Sequence, residues 1–310
     1  MKIALLVPCY DEAVTIKKVI TDFRKELPDA SIYVYDNNSI DNTYEIAKEA
    51  GAIVKKEFRQ GKGHVVRSMF EQIDADIYIM VDGDDTYPAA EIKKLMQPIL
   101  DDEADIVIGD RLSNGSYFSE NKRKFHDFGN VLVRSMINII FDQKLKDIMS
   151  GYRVFNKSFV KTMPVLSGGF QVETEMTIFA LDKAFRIKEI PIEFIDRPEG
   201  SFSKLNTFSD GAKVLFEIFN LFRHYKPLVF YSIISLILTV IGIAVGLPPI
   251  IEFLEERFVH KVPSAILAGF IILLAVTSFY TGVILDTISK NERKQWLYVK
   301  KKETQLFKEL

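Results

Sequence analysis

Asp76-Ile-Tyr-Ile-Met-Val-Asp-Gly-Asp-Asp85 is the stretch that decides the fold. Ile77 to Val81 carries no charge and reads as a buried strand of a parallel sheet. In open α/β sheets, ligands bind outside the carboxyl ends of the strands. Asp82, Asp84 and Asp85 delivered there make a hard-oxygen site, suited to Mg2+ or Mn2+ holding a diphosphate. The same residues also read as an ordinary acidic turn, with Asp84 or Asp85 capping a helix over Glu91 to Leu100.

Working outward, the first 110 residues alternate strand and helix patterns. Strands are expected at Lys2–Val7, Ser31–Tyr35, Ala52–Val54, the Asp76 stretch and Asp105–Ile108. Helices are expected at Glu12–Glu26, Tyr44–Ala50, after Gly61-Lys62-Gly63 and around Ile92. This succession predicts an α/β fold, a doubly wound parallel sheet covered by helices. Beyond Asn121 the pattern is less regular: a helix over Phe125–Phe141, a strand over Ile148–Phe155 broken by Ser150-Gly151, a helix over Val172–Phe185 and a strand over Ile187–Phe194.

Two later stretches, 228–251 and 262–285, contain no charged residue in 24 positions each. At about 1.5 Å per residue either is long enough for a hydrocarbon core of roughly 30 Å. Pro248-Pro249 is expected to kink or end the first span. Phe208 to Tyr225, apolar with scattered charge, reads as an interfacial helix ahead of it, or as one packed on the preceding domain. Arg223 and Lys226 precede the first span; Lys290, Arg293, Lys294 and Lys300 to Lys302 follow the second. This bias places the N-terminal region and the tail in the cytoplasm. Trp296 and Tyr298 suit interface anchors. Met1–Tyr10 is too short for a signal peptide.

Composition excludes several classes. A net charge of −2 gives no basic field for nucleic acid. One cysteine, Cys9, rules out an intramolecular disulfide. His64, His126, His224 and His260 have no zinc-ligand spacing.

Pro8-Cys-Tyr10-Asp-Glu12, Asp36-Asn-Asn-Ser39 with Asp41 and Thr43, Gly61-Lys-Gly63 and Asp82-Gly-Asp84 stand in one order. They resemble family 2 glycosyltransferases with a GT-A domain, whose sheet is Rossmann-like and mostly parallel. Gly109-Asp-Arg111, Asp147-Ile-Met-Ser-Gly-Tyr-Arg153 and Arg197-Pro-Glu-Gly-Ser-Phe-Ser-Lys204 resemble the polyprenyl-phosphate branch, which is like dolichyl-phosphate mannose synthase. The two C-terminal spans match a bacterial subgroup of that branch.

The resemblance implies a cytosolic catalytic domain over residues 1–205, a juxtamembrane helix over 206–226, a two-helix anchor over 227–286 and a cytosolic basic tail over 287–310. It implies a multi-pass protein of the cell membrane. Its expected partners are a nucleotide-diphosphate sugar, undecaprenyl or another polyprenyl phosphate, and the lipid bilayer. The sugar, from UDP-glucose or UDP-N-acetylglucosamine, would be transferred with inversion. First spans of neighbouring copies could pack as a homo-oligomer.

Residue by residue, the resemblance places Pro8, Tyr10, Glu12 and Asp36 at the base and ribose. It places Asp84 and Asp82 at Mg2+ or Mn2+, Gly83 and Lys62 beside the donor, and Glu173 near the sugar. Gly61-Lys-Gly63 lacks the spacing of a Walker loop. Asp147 matches the position proposed as base. A phosphate monoester with a second pKa of about 6 hardly needs one, so Asp147 can instead orient the acceptor or hold Arg153. Arg111, Arg153, Arg197 and Lys204 form the cationic set that would let two anionic substrates approach. Arg197 and Lys204 flank Gly200 in a segment suited to a closing lid. Lys122, Arg123 and Lys124 could meet lipid phosphate. Rival readings remain open: a processive polysaccharide synthase or another family 2 transferase acting on a protein or lipid head group, and a non-catalytic nucleotide-binding scaffold.

Overall fold

The computed structural model describes residues 1–114, 126–169, 171–198, 200, 219–220 and 222–309. Lys122, Arg123, Lys124, Lys204 and most of the expected interfacial helix lie outside them. The chain divides into two compact units, Met1–Leu215 and Phe216–Leu310.

The first unit is built on a seven-stranded sheet in the order β3-β2-β1-β4-β6-β5-β7. Its strands are β1 (Ile3–Cys9), β2 (Ser31–Asp36), β3 (Ile53–Lys56), β4 (Ile77–Met80), β5 (Ile106–Asp110), β6 (Arg153–Asn156) and β7 (Ile187–Pro191). The helices are α1 (Ile16–Glu26), α2 (Thr43–Glu49), α3 (Lys62–Gln72), α4 (Ile92–Leu100), α5 (His126–Phe141), α6 (Lys157–Thr162) and α7 (Val172–Asp182). Every residue of β4 is buried, as expected of a central strand covered on both faces. Ile16, Val19, Ile20 and Phe23 put one face of α1 into the core. Such a stripe at helical spacing is what fixes a helix on a sheet, each side chain contributing roughly 1.5–3 kcal/mol.

The sheet is mostly parallel, as the resemblance implies, with one strand reversed. β6 runs antiparallel to both neighbours, with Met80 opposite Arg153 and Ile108 opposite Arg153. The expected strand over Ile148–Phe155 is therefore ordered as strand only from Arg153. Residues 147–152 form the loop that enters it. Because β6 is reversed, this loop arrives at the edge where β1, β2, β4 and β5 end.

Asp85 does not cap α4. It sits at φ 61° and pairs with Lys18 at 2.8 Å. A single 3₁₀ turn, Ala89–Glu91, intervenes before α4. Asp84 does not cap it either.

The second unit is a pair of helices, α8 (Pro227–Glu256) and α9 (Val262–Glu309). Both are long and apolar enough to cross a membrane. Their large apolar side chains are mostly turned outward, among them Leu236, Val240, Phe270 and Leu274. Pro248-Pro249 do not end α8, which continues to Glu256. α9 runs through the basic tail without a break.

Candidate active site

The carboxyl edge of the sheet gathers most of the expected site. Gly83 brings the acidic turn close against β1: a Cβ there would lie 2.7 Å from Cys9 Sγ. The Thr15 hydroxyl holds the turn by donating to the Gly83 carbonyl at 2.6 Å. Asp84 is buried. Its Oδ1 accepts the Thr86 hydroxyl at 2.7 Å, and its Oδ2 pairs with Arg197 at 2.5 Å. Arg197 reaches it because the Ile195 N–H donates to the Thr86 carbonyl at 3.1 Å. Burial and the neighbouring Asp82 charge push the Asp84 carboxyl up, and Arg197 and Thr86 offset this only in part.

Lys62 is enclosed between Asp82 and Glu173, at 2.5 Å from each. Burial alone would lower its ammonium, but the two carboxylates raise it above the ordinary lysine range, so it stays charged. The N–H groups of Gly61 and Gly63 are both taken within the chain. The Gly61 N–H donates to Asn37 Oδ1 at 2.6 Å, and the Gly63 N–H donates to the Gly168 carbonyl at 3.2 Å. A Cβ at Gly63 would stand 2.0 Å from the Ser167 carbonyl. Glycine is required there by close backbone approach.

Across the edge, Arg111 grips Asp147 with two bonds, Nε to Oδ2 at 2.7 Å and Nη2 to Oδ1 at 2.9 Å. The Arg111 N–H adds a third at 3.1 Å. Burial would raise the Asp147 carboxyl; the Arg111 charge and bonds outweigh it and hold it below the usual range. Glu189 fixes this loop from β7 by accepting the Asp147 N–H at 2.8 Å. Desolvation pushes the Glu189 carboxyl up.

Arg153 is fully buried. Its guanidinium donates to the carbonyls of Ser150 at 2.8 Å and Ile148 at 2.6 Å, and to the Thr177 hydroxyl at 3.0 Å. It braces the 148–150 loop from inside rather than facing a phosphate. Asp147 is held by Arg111, not by Arg153. Burial brings Arg153 down to about 10, so it remains a cation at neutral pH.

At the other end of the edge, Asp36 closes β2. Asp36 is buried; its Oδ2 accepts the Ser39 N–H at 3.4 Å, and its Oδ1 has no partner among the described residues. A buried acceptor without a donor is costly, and it fits an N–H or O–H of a bound nucleoside. Pro8 lies in β1, and Tyr10 follows it. Glu12 is buried, with its N–H donating to Thr43 Oγ1 at 2.8 Å.

Among the described residues no three His, Cys, Asp or Glu side chains cluster as a metal cage. The chain offers two carboxylates, Asp82 and Asp84. That donor set fits an ion such as Mg2+, which takes one or two carboxylates and completes its shell with phosphate and water. The raised Asp84 carboxyl beside Asp82 agrees, since a cation there would relieve the crowding of like charges.

Three residues of the edge were not singled out from the sequence: Thr86, Glu189 and Tyr87. The Tyr87 hydroxyl accepts the Gly151 N–H at 2.9 Å and an Arg111 N–H at 3.4 Å. Tyr87 directly follows the acidic turn, and that adjacency was the available signal. Glu189 gave none, because its partner is a backbone N–H 42 residues away.

Comparison with known proteins gives the family and the fold. The model of "Glycosyl transferase family 2" matches residues 4–163. Glycosyltransferase AglJ of Haloferax volcanii is 33% identical over 298 residues, covering 94% of this chain and 95% of that protein. A UDP-N-acetylglucosamine–dolichyl-phosphate N-acetylglucosaminyltransferase of Methanococcus voltae is 27% identical over 239 residues, covering 70% of this chain and 94% of that protein. Among solved structures, glucosyl-3-phosphoglycerate synthase of Mycobacterium tuberculosis, in complex with Mn2+, UDP and phosphoglyceric acid, aligns with a TM-score of 0.58 at 20% identity. That match covers 71% of this chain and 77% of that one, and it shows a shared fold. The chain belongs to glycosyl transferase family 2, on a GT-A fold.

Proposed function

We propose that this protein moves one sugar from a nucleotide-diphosphate donor, UDP-glucose or UDP-N-acetylglucosamine, onto undecaprenyl or a related polyprenyl phosphate, with inversion at the anomeric carbon. The observation that carries this reading is the meeting of two unlike charge sets at one sheet edge. Asp82 and Asp84 suit a cation-bound diphosphate. Arg111, tied to Asp147, suits an anionic acceptor. They abut: a Cβ at Gly151 would stand 2.4 Å from Asp82 Oδ2, and only a glycine lets the 147–152 loop come so near. Asp82 and Glu173 are paired with Lys62, Asp147 with Arg111 and Asp84 with Arg197, so anionic substrates meet paired rather than bare carboxylates.

Asp82 and Asp84 would hold Mg2+ or Mn2+, which when bound supplies Lewis-acid neutralisation of the departing nucleotide diphosphate. Asp36 Oδ1 receives a hydrogen of the base or ribose, with Pro8, Tyr10 and Glu12 around it. Lys62 sets the positions of Asp82 and Glu173 and so acts behind the donor. Asp147 orients Arg111 toward the acceptor. Its carboxyl, held below the usual range, is poorly suited to take a proton, and a phosphate monoester is already ionised near neutral pH. Arg197, paired with Asp84, lies where it can meet the diphosphate. The lipid acceptor is supported by the two apolar helices and by the dolichyl-phosphate relatives. The basic flanks favour a cytoplasmic catalytic unit and tail in the cell membrane.

The test uses the full chain in detergent with undecaprenyl phosphate, a panel of UDP- and GDP-sugars, and Mn2+, Mg2+ or EDTA. One donor is expected to release nucleoside diphosphate only when both lipid phosphate and metal are present. Release that is indifferent to the lipid contradicts the acceptor assignment.

A further inference from the structure

The Tyr87 hydroxyl joins the two halves of the site. It follows Asp82 and Asp84 on the β4 exit loop, accepts the N–H of Gly151 at 2.9 Å, and is approached by Arg111 Nη1 at 3.4 Å. Both neighbours are nitrogens that can only donate. The phenol oxygen is therefore the acceptor in both contacts, and its own hydrogen remains for another partner. Among the described residues no acceptor takes that hydrogen. Yet Tyr87 is 5% exposed, and a buried donor left unmade costs about 1–3 kcal/mol. The ring cannot swing away to relieve this. It packs against Tyr152 with centroids 5.3 Å apart and against Phe194 at 6.0 Å.

The surroundings select the missing partner. A sugar hydroxyl is served best by a donor and an acceptor together. Both oxygens of Asp147 are engaged by Arg111, Asp82 Oδ1 by Lys62, and the phenol oxygen by Gly151 and Arg111, while Asp82 Oδ2 belongs to the carboxylate pair assigned above to the metal ion. What converges is an O–H from Tyr87 beside the Arg111 guanidinium, the pattern that suits an oxyanion. Burial also drives the phenol up to about 12, so it keeps its hydrogen at any working pH.

We propose that Tyr87 is a substrate-contacting residue whose hydroxyl donates to a phosphate oxygen of the acceptor, at the seam between the Asp82 turn and the Arg111–Asp147 pair. This rests on the phosphate acceptor proposed above. The same hydroxyl, through Gly151, keeps the 147–152 loop against Asp82, so acceptor and donor sides are set by one group.

The experiment compares wild type with Tyr87→Phe, which keeps the ring and removes the hydroxyl, as full chains in detergent. The acceptor KM is expected to rise by ~10-fold or more, the scale of a lost hydrogen bond to a charged group. UDP affinity by calorimetry should stay near the wild-type value, and the thermal midpoint should fall by no more than a few degrees, the scale of the Gly151 N–H losing its acceptor. A parallel titration with farnesyl phosphate, without donor, should show the same weakening. Equal acceptor KM and equal farnesyl phosphate affinity in the two proteins overturn the proposal. So does a rise confined to the donor KM, which would put the hydroxyl on the sugar. So does an equal fall of UDP affinity, lipid affinity and thermal midpoint, which marks a purely structural group. If wild type transfers no sugar to any lipid phosphate, the transferase reading fails, while the farnesyl phosphate titration still decides the role of Tyr87.

Discussion

At the residue scale the site is organised by pairing rather than by isolated charges. Arg111 and Asp147 form the clearest case. Since Arg111 holds the carboxylate with two side-chain bonds, Asp147→Asn removes the charge but keeps the shape. Activity should fall by ~10- to 100-fold through a misplaced guanidinium, while the pH dependence of kcat/KM between pH 6 and 9 keeps its form. Loss of an acid limb from that profile, with acceptor affinity intact, would restore proton abstraction to Asp147. The same pair has an acid signature. The Asp147 carboxyl is depressed in the folded state, so its contribution is complete above the ordinary carboxylate value of about 3.9 and is lost as pH falls through the folded value. A thermal-melt series should show less acid sensitivity in Asp147→Asn. The acidic turn, Asp36, Arg111 and Asp147 were legible as site candidates because motifs name residue types at fixed spacing. Their partners were not. Arg153 looked like a phosphate ligand because a charged residue in a motif reads as exposed, whereas its guanidinium is enclosed by carbonyls of its own loop.

At the element scale, two devices build the site: the reversed strand β6 and the glycine contact between the start of α3 and residues 167–168. The alternation of strands and helices was readable up to β5, because each unit carries its own periodicity. β6 was not readable as reversed. Strand direction is set by the partner, and four pairing residues flanked by Ser150-Gly151 leave little local pattern. The glycine contact has a direct consequence. A methyl group at Gly63 would meet the Ser167 carbonyl at 2.0 Å, and backbone must shift to admit it. Gly63→Ala is therefore expected to destabilise the fold by about 1–3 kcal/mol and to weaken UDP binding, since Lys62 moves with the turn. Calorimetric melting and UDP titration of the variant check this. An unchanged melt and unchanged affinity would show that the contact is easily relaxed. α9 also outran its sequence reading. The charge-free stretch ended at residue 285, but Lys, Glu and Gln are good helix formers, and the helix continues to Glu309.

At the scale of the whole molecule, the chain carries an α/β unit and two helices long and apolar enough to cross a bilayer. The topology proposed from the basic flanks has the catalytic unit and the tail on the cytoplasmic side, with the loop between α8 and α9 on the other. With buried Cys9 replaced by Ser, a single cysteine at Phe258 should react with an impermeant maleimide in intact cells. One at Asn291 should react only after lysis, and the reverse pattern would invert the topology. The central claim is that one sugar passes to a lipid phosphate under the control of the Asp82–Asp84 turn. Its most direct test is the mass of the lipid extracted after wild type and Asp84→Ala are each incubated with undecaprenyl phosphate, the active nucleotide sugar and Mn2+. The account predicts a single species heavier than the starting lipid by one sugar residue, reduced at least ~100-fold by Asp84→Ala, with the variant still in the membrane fraction. A ladder of added sugars, an unmodified lipid, or equal product from Asp84→Ala would contradict it.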